Sequence, residues 1–313
     1  MTPPPGHLTD RLTWRLALAN LAAQIGIVVT GGLVRLTGSG LGCSTWPMCE
    51  PGQFTPEFHQ EMSFHPIIEF GNRTLTGVLT VIALALLWAL YRREPANGRP
   101  SILKILAWSV LAGIGVQAVV GGITVLVELH PAVVGLHMSL SLVLIAISGY
   151  LVVRLRQEDV PAAKPVYAVL LWAMAAIGAV MMVTGVITTG SGPHSGDENA
   201  PYRFALDPVV VSRVHSATVY AFILVLILVV IASVRSGHGI RRWYAIIALV
   251  AVQGIIGYWQ FFTGLPITLV AIHMFLAAVM CGTLAITIGS CWTRERTDAV
   301  RSKNETDHIS RGV

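Results

Sequence analysis

Eight apolar stretches, each long enough to cross a lipid bilayer, dictate what this chain can fold into. They run over Trp14–Val34, Ile67–Leu90, Ile102–Val127, Ala132–Val153, Val166–Thr188, Val209–Val234, Trp243–Phe262 and Leu265–Ser290. About 20 mainly apolar residues span the hydrocarbon core as an α-helix. No water is present there to satisfy the backbone, so a spanning segment must close its own hydrogen bonds. The runs are continuous rather than alternating, which selects helices over a barrel. An all-α integral membrane protein with eight transmembrane helices is therefore expected. Only 12% of the 313 residues are charged, against roughly 25% in soluble domains. The first run lacks a small-residue cleavage site and is followed by further spans, so it reads as a retained helix. The N-terminal PPPG and the polar segment after Trp292 read as disordered tails.

Charge sets the orientation. All but four of the 21 Lys and Arg lie in the two tails or in the loops near Arg92–Lys104, Arg154–Lys164 and Arg235–Arg242. The exceptions are Arg35, Arg73, Arg203 and Arg213. The positive-inside rule then places both termini in the cytoplasm. The net charge of +5 is a topology signal, and no nucleic-acid partner is read from it.

The chain repeats itself. Two long outer loops, Leu36–Pro66 and Thr189–Pro208, open alike, with LTGSG at Leu36–Gly40 and TTGSG at Thr188–Gly192. Gln117 to Gln253 and His137 to His273 are each separated by 136 residues. Two tandem four-helix halves follow, residues 1–158 and 159–313, split in the cytoplasmic loop. An even number of spans per half makes the halves parallel, related by an axis along the membrane normal.

Prolines 66, 131, 208 and 266 stand where helices open from the outer side, consistent with proline's place in the first turn. Six or seven residues further on come Asn72, His137, His215 and His273. At about 1.5 Å per residue all four sit roughly 10 Å below the outer mouth. Two histidines at matched depth in one bundle can clamp a haem iron from both faces, and His215 and His273 fit that pattern. A single membrane histidine is more often a polar bridge between helices; three at matched depth, repeat-related and each followed by small or apolar residues, favour ligation.

Within HPIIEFGNRTLTG, His65–Gly77, a carboxylate, an amide and a guanidinium fall inside an apolar run. A charge at mid-bilayer costs about 2.5–3.5 kcal/mol, so such residues are functional candidates. Glu69 precedes Asn72 by one turn and shares its face. It is either an acid/base group beside a bound ligand or the partner of Arg73 or Arg35 in an ion pair. Its counterpart in the second half is Ser212, so the halves are not chemically equivalent. His65, seven residues before Asn72, falls on nearly the same face; the other loop histidines, His59, His130 and His194, read as solvated. Cys43 and Cys49 occupy an outer loop where disulfides persist, and five intervening residues permit closure. That disulfide is either structural or redox-active. Cys281 and Cys291 read as buried packing residues.

These features together resemble the heme A synthase family, in its actinobacterial branch, over nearly the whole length. The matching elements are eight spans in two halves, TGSGLGC with a downstream WPMC, IIEFGNR, and single histidines on spans four, six and eight. The resemblance implies oxidation of a haem O methyl group to a formyl group through an alcohol, giving haem A for terminal oxidases. It further implies haem B held by His215 and His273, substrate haem O near His137, Glu69 as the essential carboxylate and Cys43–Cys49 as a disulfide. Haem O synthase is the implied membrane partner, the plasma membrane the implied location, with the cysteine loop extracellular; self-association is left open. Many relatives carry histidine where this chain has Asn72. Either the substrate iron has an open position here or His65 supplies the missing ligand. The main rival is a b-type electron-transfer cytochrome exchanging electrons with quinone; a thiol oxidoreductase using Cys43 and Cys49 and a transporter are more distant ones.

Overall fold

Among the described residues of the computed structural model there are eight long helices: α1 Arg11–Leu36, α2 His65–Arg92, α3 Ile102–Leu126, α4 Pro131–Arg156, α5 Pro165–Ser191, α6 Pro208–Arg235, α7 Tyr244–Phe262 and α8 Ile267–Cys291. The structure describes residues 10–57, 63–92, 101–156, 165–200, 202–236 and 239–291. Both expected tails, His59 and the 158/159 boundary lie outside the described residues. Among the described residues there is no strand, only an isolated bridge between Glu50 and Gln53. Each apolar run falls on one helix, with Val127, Trp243, Leu265 and Pro266 alone lying just outside the helix ends. A 25-residue helix such as α3 is about 37 Å long, enough to cross a hydrocarbon core of about 30 Å. The outer faces carry Val81, Trp88, Trp108, Trp172 and Leu224, all exposed. In water such a surface would aggregate; in lipid it is the solvated face, and the fold is that of a multi-pass membrane protein.

Local chemistry sets the helix ends. Asp10 caps α1 by accepting the Leu12 N–H. Asp207 caps α6 through the N–H groups of Val209 and Val210, with Pro208 in the first turn, where a missing N–H carries no penalty. The α3–α4 and α7–α8 connections are the same turn built twice. Glu128 and Leu129 adopt φ of 50° and 59°, and Gly264 and Leu265 adopt 77° and 60°. The Leu129 N–H bonds Thr124 O at 2.8 Å, as the Leu265 N–H bonds Gln260 O at 2.8 Å. Each residue here lies 136 positions from its counterpart, the interval that separates His137 from His273. Left-handed φ is unfavourable for Glu and Leu, so the turn geometry overrides local preference in the first copy.

Within the first four helices α1 packs on α2 and α4, and α3 on α2 and α4; the last four keep α5 on α6 and α7 on α8. Exchanging α1–α4 with α5–α8 turns the α1–α8 contact into the α5–α4 contact and leaves α4–α8 unchanged, and all three contacts are present. The α4–α8 seam is tight: a Cβ on Gly149 would stand 2.9 Å from the Gly282 carbonyl oxygen. Small residues let membrane helices approach this closely, and a polar bond, Asn20 Nδ2 to Ser148 Oγ at 2.9 Å, joins α1 to α4. One pairing is not matched. α2 lies against α3, while α6 and α7 hardly touch along their backbones, bridged near the gap by the hydroxyls of Tyr220 and Tyr258.

Candidate functional site

Each helical hairpin seats one polar side chain over a glycine of the preceding helix. A Cβ added at Gly121 on α3 would stand 3.1 Å from His137 Cε1 on α4. The equivalent values are 3.1 Å for Gly185 and His215, and 3.4 Å for Gly257 and His273. In the first hairpin Gly31 faces Asn72 Nδ2 at 3.7 Å. At 3.1 Å a methyl group on Gly121 or Gly185 would press the ring away from its helix by a few tenths of an ångström. The four side chains expected at matched depth thus share one structural setting.

Hydrogen bonds repeat the arrangement. Gln117 Nε2 donates to His137 O at 3.0 Å, and Gln253 Nε2 donates to His273 O at 3.1 Å. Thr30 Oγ1 donates to Asn72 Oδ1 at 2.7 Å. Thr184 Oγ1 lies 3.1 Å from His215 Nδ1 and donates to Met181 O at 3.0 Å, so its oxygen is free to accept the imidazole proton. The threonine-glycine pairs were not singled out from sequence. Their signal was present: Thr30-Gly31 and Thr184-Gly185 lie 154 positions apart on helices that open the two halves.

All four positions, with Glu69 and Arg73, line one continuous cavity of about 1520 Å³. Ligand pockets commonly measure about 300–1,000 Å³, so this one has room for more than one large planar molecule. Residues of both halves wall it, Glu69 and Asn72 from α2 and His215 and His273 from α6 and α8. Among the described residues no three His, Cys, Asp or Glu side chains converge on a point. Imidazoles presented singly suit axial ligation of iron in a planar macrocycle, which brings its own equatorial donors. The glycine seats leave flat walls beside the rings, so the residues present fit a haem.

At the loop end of the cavity Glu69 is buried, 5% exposed. Its Oε2 accepts the Cys43 N–H at 2.7 Å, and its Oε1 accepts Arg73 Nη2 at 2.5 Å and Nε at 3.1 Å. Arg73 Nη1 donates on to Thr45 O at 3.0 Å and Met48 O at 3.3 Å. The ion pair with Arg73 is therefore formed, and it also fastens α2 to the loop. Cys43 and Cys49 are disulfide-bonded and fully buried. Between them Trp46, followed by a cis peptide to Pro47, wedges against α3: a Cβ on Gly122 would fall 2.2 Å from its ring. Trp46 and Pro47 line the cavity, a contribution the sequence did not announce. Ser212, at the position matching Glu69, turns its hydroxyl to its own helix at Pro208 O.

His65 is placed differently from these. It is the first residue of α2, its carbonyl packs on Gly42, and its Nδ1 bonds Ser39 Oγ at 2.8 Å. It is exposed and is not among the residues lining the cavity. His194, expected to be solvated, instead bonds Leu265 O at 3.0 Å through Nε2. Its own carbonyl accepts Arg35 Nε at 2.7 Å, and Arg35 Nη2 reaches Thr189 O at 2.8 Å. The second long loop is thereby tied to the end of α1. His130 is exposed and tilts against Tyr202, with ring centroids 5.7 Å apart.

Comparison with known proteins bears on this arrangement. The Heme A synthase of Staphylococcus epidermidis is 25% identical over 293 residues, covering 88% of this chain and 94% of the relative. That of Bacillus mycoides is 23% identical over 94% of this chain and 99% of its own length. That of Bacillus pumilus is 32% identical over 146 residues, 45% of each chain. The family model described as COX15-CtaA, cytochrome oxidase assembly protein, matches residues 14–193, which takes in Glu69, the disulfide loop, His137 and the start of the second half. With that match over more than half its length, the chain belongs to the COX15-CtaA family of cytochrome oxidase assembly proteins.

Proposed function

We propose that this protein is a heme A synthase, an oxidoreductase that converts a methyl group of haem O to a formyl group by way of an alcohol. One observation carries the reading: a single cavity holds three glycine-seated histidines together with a buried carboxylate. Membership of the family and near full-length similarity to proteins named Heme A synthase support it.

In this reading residues 159–313 form the cofactor half, where His215 and His273 hold haem B, and residues 1–158 form the substrate half, where His137 takes the iron of haem O. The bound haem B supplies one-electron relay chemistry. Glu69, at the edge of the substrate half, takes up protons released as the methyl carbon is oxidised, or stabilises positive charge beside it. Arg73 and the Cys43 amide hold that carboxylate in place, and the Trp46 loop shields it from water. Both termini lie in the cytoplasm, the disulfide loop outside the plasma membrane, and haem O synthase delivers the substrate.

The test is haem extraction and chromatography from membranes of cells that express the chain and make haem O. Haem A is expected, and it is expected to vanish with Glu69→Ala. Haem B as the sole product-independent pigment, unchanged by Glu69→Ala and with haem O unconverted, would identify an electron-transfer cytochrome instead.

A further inference from the structure

We infer that Gln117 and Gln253 fix the tautomers of His137 and His273, each glutamine Oε1 accepting the Nδ1 proton of its histidine so that Nε2 keeps its lone pair for a metal. The inference rests on the haem-ligating reading given above and adds positioning residues to it.

Four buried polar atoms motivate it. Gln117 Oε1, His137 Nδ1, Gln253 Oε1 and His273 Nδ1 are all shut away from solvent without a hydrogen-bond partner. They belong to two glutamine–histidine pairs, one per half, each 20 residues apart along the chain and already joined by a bond from the glutamine Nε2 to the histidine carbonyl. A buried polar atom left unpaired costs about 1–3 kcal/mol, and the same omission in both repeats is not a local accident. The amide orientation is fixed independently. Each glutamine faces a histidine carbonyl, which only accepts, so the nitrogen must point there and the oxygen is what remains.

Ring orientation agrees. Gly121 stands one turn beyond Gln117 on α3, and Gly257 one turn beyond Gln253 on α7, so each pair shares a helix face. Measured from a Cβ at Gly121, His137 Cε1 is 3.1 Å and Nδ1 3.7 Å away; from Gly257, His273 Cε1 is 3.4 Å and Nδ1 3.9 Å away. His273 therefore turns its Nδ1–Cε1 edge toward the helix that carries the glutamine, while His137 presents its Cε1 vertex, with Nε2 at 3.6 Å from the same Cβ. The terminal torsions of Gln and His are broad, which leaves both groups free to turn toward each other. His215 provides the internal comparison. Its Nδ1 edge also turns to the preceding helix, with Nδ1 3.5 Å from a Cβ at Gly185, and there Thr184 already supplies the acceptor. Metal-bound histidines usually give the other ring proton to such an acceptor, which sets the tautomer and raises ligand basicity.

The experiment is a potentiometric titration of the haem in the purified full-length chain carrying Gln253→Glu or Gln253→Met. Both variants lose the amide donor to the His273 carbonyl, and they differ in the acceptor they offer and in the charge it carries. The carboxylate should push electron density onto the imidazole and lower the midpoint potential. The thioether, without a competent acceptor, should raise it. Opposite shifts with retained low-spin spectra support the inference. Shifts in the same direction, or none, overturn it. Should the methionine variant not accumulate, Gln253→Glu decides alone, and an unchanged or raised potential overturns the inference. A parallel His273→Ala preparation keeps the two levels apart: if its haem spectrum matches that of the unmodified protein, the ligation reading fails whatever the glutamine variants do.

Discussion

The carboxylate of Glu69 and the guanidinium of Arg73, one turn apart on α2, meet at 2.5 Å with side-chain exposures of 7% and 20%. The pair does more than neutralise itself. The carboxylate also takes the Cys43 N–H, and the guanidinium takes the Thr45 and Met48 carbonyls. α2 and the disulfide loop are thus locked by both signs of one ion pair.

Removing one partner leaves the other charge buried and unpaired. Arg73→Met should therefore lower stability by roughly 3–5 kcal/mol, toward the lower end because Arg73 keeps some access to solvent. The detergent thermal unfolding midpoint reports this. Adding Glu69→Gln should restore part of the loss, since the unpaired charge is then gone. A double variant as unstable as the sum of the two singles would mean that the ion pair contributes nothing.

The disulfide closes a short loop around the Trp46 wedge. Cross-linking a loop of this size stabilises by about 2 kcal/mol in the chain-entropy account. The double variant Cys43→Ser with Cys49→Ser should be less stable by about that amount, and its haem oxidation slower as Glu69 loses a fixed amide donor. If the cysteines themselves passed electrons, the double variant would have no activity at all. Residual turnover with a lowered unfolding midpoint is the outcome expected for a positioning role.

The glycines offer a graded series. Gly257→Ala brings a methyl group to 3.4 Å from His273, Gly121→Ala to 3.1 Å from His137, and Gly122→Ala to 2.2 Å from the Trp46 ring. Overpacking commonly costs about 1–3 kcal/mol. Gly257→Ala should be tolerated, Gly121→Ala should weaken retention of the haem at His137, and Gly122→Ala should expel the loop. Limited proteolysis of the loop and haem content per chain rank the three; equal behaviour would refute the seating described above.

The sequence made the spans legible because a bilayer imposes composition directly, with few tertiary exceptions. The 136-residue interval was legible too, and it reaches further than the histidines, to the left-handed turns at Leu129 and Leu265 and to the glutamine anchors. Contacts between segments far apart in the chain were not legible. Nothing in WPMC states that Trp46 will press on Gly122. Helical periodicity put His65 on the face of Asn72, but at the first residue of a helix the ring is not yet bound by neighbours one turn back. The approach of Gly42 and the hydroxyl of Ser39 decide its direction instead.

That direction leads to a prediction about the missing histidine. Asn72 sits over Gly31 and takes a bond from Thr30, as His215 sits over Gly185 beside Thr184. The seat for an imidazole is therefore built in the first half although asparagine occupies it. Asn72→His should place a ring in that seat with Nδ1 held by Thr30, which in the function proposed above gives the substrate iron two histidines in place of one. EPR should then show a second low-spin haem, and turnover should fall because the substrate leaves more slowly. His65→Ala, which removes a ring bonded to Ser39 and outside the cavity lining, should leave the spectrum of the unmodified protein unchanged. If His65→Ala instead abolished a low-spin signal, His65 would be the ligand, and α2 would have to turn its first residue inward when substrate binds.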